Sequence, residues 1–176
     1  ELNPDAVVVV GSDDLVSINM LDAYLMALRN GVKYLGILDM YFLELASRRL
    51  CFWPGYPAGP RYGETIGLGR CLHADLLDEL HWSLWEKQLE NGLDASMTRK
   101  VFPLTTSEPD RWTSKQFRCQ ENDFGALDIK TAINLWSFIE MVGAREVDYL
   151  DFQDTVGDLF SSELVEKLLV VGTEER

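Results

Sequence analysis

The chain has little of what most enzymatic signatures require. It holds two histidines, His73 and His81, and three cysteines, Cys51, Cys71 and Cys119. No two cysteines stand as CxxC, which excludes a zinc knuckle and a thioredoxin-type pair. An odd, widely spaced set reads as small core thiols in a reducing compartment. The histidines are too far apart along a helix, about 80° and two turns, for one metal to take both without ligands from elsewhere. Cys71 and His73 are close in sequence, which is poor grounds for a nucleophile–base dyad, so a structural role is expected of both. There is no Walker loop, GxSxG elbow or HExxH helix. Gly67-Leu68-Gly69 lacks the third glycine of a dinucleotide turn and reads as ordinary loop.

Long uncharged apolar runs are missing as well. The longest, Val32 to Ala46, is interrupted by Lys33, Asp39 and Glu44, which excludes a bilayer-spanning helix. Val7–Val10 is too short for the core of a signal peptide. The sequence contains no Asn-x-Ser/Thr acceptor and opens on Glu1 rather than Met, so it reads as an intracellular, processed or excised chain. Basic residues are scarce: sixteen against twenty-nine acids, a net charge of −13 and a pI near 4.5. Such a body repels phosphate backbones and anionic membrane faces. It favours basic partners, divalent cations or plain solubility.

What is abundant is core material. With 47% hydrophobic and 11% aromatic residues in 176, the chain can bury a sizeable core as one domain spanning 1–176. The expected fold class is mainly α, with α+β as the alternative: five to six helices, a few short strands and a long loop. Ala6–Val10 reads as a β-branched strand. Ser12 is a candidate N-cap for a helix ending near Asn30-Gly31. That helix carries Leu15, Ile18, Leu21, Leu25 and Leu28 on one stripe and Val16, Met20, Ala23, Tyr24 and Ala27 opposite, and so is expected to be covered on two sides.

Lys33–Arg49 is apolar nearly all round and reads as a buried helix, followed by a short strand at Cys51–Trp53. Residues 54–70, with Pro54, Pro57, Pro60 and five glycines, read as an irregular loop, and loops of that length are functional or mobile. Leu72–Glu90 reads as a helix. Leu76, Leu77, Leu80 and Leu84 form its core face, Trp82, Trp85 and Leu89 a second apolar strip, and Asp75, Glu79, Glu86 and Glu90 an acidic stripe between. Arg99–Leu104, Gln116–Cys119 and Phe124–Ile129 are candidate strands. Asp128 or a neighbour opens a helix with Ile133, Trp136 and Ile139. Val147–Phe152 is a strand or leads into a helix, and Ser161 or Ser162 caps a last helix.

Two constellations carry chemistry. Pro109-Asp110 followed by Asp128-Ile129-Lys130 has the order of the PD-(D/E)xK signature of metal-dependent nucleases. There two carboxylates hold Mg²⁺ or Mn²⁺, lysine positions the attacking water, and an earlier acid such as Glu79 or Asp78 assists. A chance match is common at this composition, and Asp128 serves equally as an N-cap. Val147–Phe152 looks like the exit of a calcium loop, but its earlier ligand positions fall on Glu140, Val142 and Ala144 and its glycine on Arg145, which argues against it.

The other constellation is a recognition surface: the acids Asp75, Glu79, Glu86 and Glu90, the indoles Trp82 and Trp85, and the loop aromatics Trp53, Tyr56 and Tyr62. Aromatic anchors beside carboxylates suit a basic protein partner. The reading preferred from sequence is therefore a non-catalytic acidic interaction domain without a cofactor: a subunit, adaptor or inhibitor. The alternative is the divalent-metal nuclease at Asp110, Asp128 and Lys130.

Overall fold

The computed structural model describes residues 3–45, 47, 49–87, 89, 92–130, 145–147 and 149–174. Along them run β1 (Ala6–Val8), β2 (Asp14–Val16), α1 (Ile18–Arg29), β3 (Tyr34–Ile37), β4 (Met40–Glu44), β5 (Arg49–Trp53) and β6 (Cys71–His73). There follow α2 (Ala74–Glu79), α3 (Leu93–Ser107), β7 (Ser114–Phe117), α4 (Cys119–Asn122), β8 (Ala126–Lys130), β9 (Arg145–Val147), α5 (Tyr149–Leu159) and α6 (Ser162–Glu174). The strands form two mixed sheets, ordered β1-β6-β3-β7 and β2-β8-β4-β5-β9. The β3–β7 and β4–β8 pairs are parallel and the others antiparallel. The architecture is α+β, which corrects the mainly helical expectation.

Strand alternation sorts side chains into three cores. Leu35 and Ile37 of β3 join Met40 and Phe42 of β4, and Met20 and Tyr24 of α1, in a core shared by both sheets. Tyr34 belongs instead to a second core, with Leu76 and Leu77 of α2, Met97 and Val101 of α3, and Trp112. Leu43, Leu50 and Leu127 meet Val156 of α5 and Val165 of α6 in a third. Cys51, Cys71 and Cys119 are buried thiols, and burial pushes Cys71 up to about 12 and Cys119 higher still.

The corrections have physical causes. Lys33–Arg49 holds β3, β4 and the start of β5 rather than a helix, because a continuous apolar run suits a strand buried on both faces as well as a buried helix. Leu38-Asp39 passes the chain from one sheet to the other. There Asp39, 2% exposed, accepts a hydrogen bond from the backbone N–H of Cys119 and stands 3.4 Å from Arg118. Desolvation raises its pKa despite both partners.

Leu72–Glu90 is likewise not one helix. Leu72 lies in β6, α2 lasts six residues, and Leu84 reaches the second core from the loop beyond. Arg99–Leu104, expected as a strand, lies inside α3 with Pro103 in the helix. Burial of Met97 and Val101 outweighs the strand propensity of Val101 and Phe102. Ser12 caps nothing, because Asp14–Val16 pairs with β8 and the N-cap of α1 is Ser17. Asp128 is a mid-strand residue of β8, not a cap.

Strands do occur where they were expected near Ala6–Val10, Cys51–Trp53, Gln116–Cys119 and Phe124–Ile129, and α6 has Ser161 Oγ accepting from Leu164 N at 3.2 Å. Val147 ends β9, and α5 starts at Tyr149. The helix expected over Ile133, Trp136 and Ile139 lies outside the described residues. Among those described, no helix is long and apolar enough to cross a membrane.

The Pro/Gly loop is tied down. Arg70, fully buried, donates to the carbonyls of Ile66 (3.0 Å), Thr65 (2.5 Å) and Asp94 (2.7 Å), joining the loop to the first turn of α3. Its planar fork reaches all three acceptors at once, as a single ammonium does not. Trp53 is 9% exposed and Tyr56 packs edge-on against it at 4.9 Å, so of the three loop aromatics expected at the surface only Tyr62 is exposed.

Candidate functional site

An open cleft of about 520 Å³ lies between α2 and the turn after α3, lined by Lys33, Asp75, Asp78, Glu79, His81, Arg111 and Trp112. It follows from how α2 starts and stops. Nδ1 of His73 accepts from the Asp75 backbone N–H at 3.1 Å and caps the helix start. After Leu80 the backbone turns left-handed at His81 (φ 50°) and Trp82 (φ 54°), a conformation that costs non-glycine residues roughly 1 kcal/mol each. The Trp82 indole offsets part of that cost by donating Nε1–H to Asp78 Oδ1 at 2.7 Å. Trp82 is left 50% exposed, and Trp85 beyond it 38%.

The cleft mixes signs. Lys33 Nζ meets Asp75 Oδ2 at 2.6 Å, and this hydrogen bond holds the Asp75 carboxyl below its usual range; the His73 ring lies 3.3 Å from the same ammonium. Arg111 pairs with Glu79 at 2.8 Å, reaches Glu108 at 3.4 Å and lies over the Trp112 ring at 4.4 Å. Asp78 has no ionic partner among the described residues. Three carboxylates against two cations leave the lining one negative charge in excess, centred on the acid nearest an exposed indole.

The expected acidic stripe is thus divided rather than continuous. Asp75 and Glu79 line the cleft. Glu86 lies farther along the chain and pairs with Arg99 at 2.8 Å, near Lys100, which donates to Ser83 and to the Trp85 carbonyl. Glu90 lies outside the described residues. Asp78, Lys33, Arg111 and Trp112 were missed as partners of the stripe. Only Asp78 carried a sequence signal, four residues before Trp82 on a helical turn.

The second constellation takes a different form. Asp128 and Lys130 share one face of β8, with Lys130 Nζ 2.7 Å from Asp128 Oδ2. The residue in register with Asp128 is Asp14 of β2. Asp110 stands exposed in the turn after α3, and Glu79 is engaged in the cleft. Burial, aided by Asp128 and Asp13, pushes Asp14 up to about 6. Burial also raises Asp128, against the pull of Lys130. No group of three or more His, Cys, Asp or Glu side chains among the described residues is placed to hold a metal ion. No family model, curated protein or solved structure matches this chain.

Proposed function

We propose that the chain is a protein-interaction domain whose cleft receives a basic side chain, Arg or Lys, of a protein partner. The observation that carries this reading is Asp78: a cleft carboxylate with no cationic partner among the described residues, bonded to a half-exposed indole. An incoming guanidinium gains the carboxylate and the face of Trp82 together, and a cation over an indole adds about 0.5–1 kcal/mol at an exposed site. Asp75 and Glu79, already held by Lys33 and Arg111, fix the rim geometry. The net charge of −13 steers a basic partner towards the surface.

The test titrates the chain with a short arginine-containing peptide at two salt concentrations. Asp78→Asn and Trp82→Ala should each weaken binding about tenfold. Glu163→Gln, the same charge change on exposed α6, should leave it nearly intact. Equal losses in all three variants would reduce the cleft to general acidity.

A second reading, divalent-metal phosphodiester hydrolysis, has one observation in its favour: Asp14 opposite Asp128, with Lys130 on the same face. Mg²⁺ needs only one or two protein carboxylates when substrate phosphate and water complete its shell. Millimolar Mn²⁺ should then raise the melting temperature of the wild type but not of Asp128→Asn. A flat response in the wild type removes this reading.

A further inference from the structure

The outer face of α1 is apolar and exposed. The helix buries Met20, Tyr24 and Ala27 and leaves Ile18 (76%), Leu21 (38%), Leu25 (46%) and Met26 (64%) exposed. The expected cover on two sides is therefore present on one among the described residues. Ile18, Leu21 and Leu25 recur in steps of three and four, the spacing of a seam between two helices packed side by side, while Leu28, next in that series, packs on the first core.

Two charges on this face identify the occupant. Asp22 and Arg29 are exposed, and neither has an ionic partner among the described residues. Seven residues apart, they stand two turns from each other and within about 20° around the axis. They are also equidistant from the midpoint between Leu25 and Met26. If two copies of α1 cross antiparallel at that midpoint, each Asp22 falls opposite the other copy's Arg29, while Leu25 and Met26 meet at the axis. A patch that complements itself in this way is what a two-fold interface requires.

We propose that α1 is the contact of a homodimer: two copies of this chain paired antiparallel through Ile18, Leu21, Leu25 and Met26, with two Asp22–Arg29 ion pairs set within that face between Leu25 and Met26 around the axis. One helix per copy makes a small interface, so the dimer is concentration-dependent and reversible.

Sedimentation equilibrium of the whole chain over roughly 1–300 µM should show a monomer–dimer equilibrium. Leu25→Asp should weaken it at least tenfold. Asp22→Arg and Arg29→Asp should each weaken self-association through two like-charge contacts. Mixing those two variants in equal amounts should recover dimer near the wild-type level, because each then supplies the charge the other lacks. Circular dichroism confirms that the variants fold, as expected for exposed positions. A monomer throughout the range, a dimer indifferent to Leu25→Asp, or a mixture of the two charge variants that stays monomeric would each overturn the proposal.

Discussion

The two sheets treat negative charge in opposite ways. Beside the β1-β6-β3-β7 sheet, Asp75, Glu79 and Glu86 stand largely in water, each against a Lys or Arg. In the β2-β8-β4-β5-β9 sheet, half-buried Asp14 and Asp128 stand in register with one another, and Asp39 is sealed where the chain leaves β3 for β4. Surface pairs of the first kind contribute little to stability, because solvent screens them and the side chains lose freedom. Acids of the second kind have lost hydration that their partners only partly replace. The carboxylates left to the solvent and those whose burial bears on stability are therefore different members of one acidic chain.

The contrast breaks most visibly at Asp39. Asp39→Ala should lower unfolding free energy in urea by about 3 kcal/mol, because the buried Cys119 N–H is left without an acceptor. A loss no larger than that of a surface acid would erase the distinction.

A smaller effect of opposite sign is expected at Asp14. Its folded-state pKa, about 6, lies above the unfolded value of 3.8. The native state therefore holds the proton more tightly, and this group's contribution is fully present below pH 3.8 and lost as pH rises through about 6. Asp14→Asn keeps an acceptor for Gly11 N and should stabilise the protein at pH 7 by on the order of 1–2 kcal/mol, with no gain near pH 3.5. Paired melting curves at the two pH values check this.

The smallest effect sharpens the comparison from the other side. Asp75 is 59% exposed, and its pKa is lowered by Lys33, so its contribution is present above the unfolded value and fades as pH falls through the folded one. Asp75→Asn should cost only a few tenths of a kcal/mol at neutral pH, and less in high salt. A salt-insensitive loss would mean that the pair is shielded from solvent.

What sequence could reveal of this arrangement followed local chemistry. Asn30-Gly31 ends α1, Ser161 bonds the first turn of α6, and the Pro/Gly run 54–70 is irregular, because caps and turns depend on nearby residues. Periodicity failed where tertiary pairing decides. The apolar run after Lys33 carries no period that separates a doubly buried strand from a helix. The leucines of 72–90 keep helical spacing although two separate segments deliver them to one core. Of the indoles that the sequence offered for a recognition surface, Trp82 and Trp85 are exposed, but Trp53 faces the interior, since a tryptophan in a loop-flanked strand reads alike on either face. Arg111 and Lys33 were hidden because their pairings span 32 and 42 residues of sequence.

The sealed thiols have a practical consequence. With Cys51, Cys71 and Cys119 enclosed, and Cys71 and Cys119 held protonated by their surroundings, alkylating probes find no ready sulfur on the native surface. A single cysteine introduced at Tyr62 would be the uniquely reactive one, so a fluorophore or spin label can be attached on the Pro/Gly loop without first stripping the protein of its own cysteines.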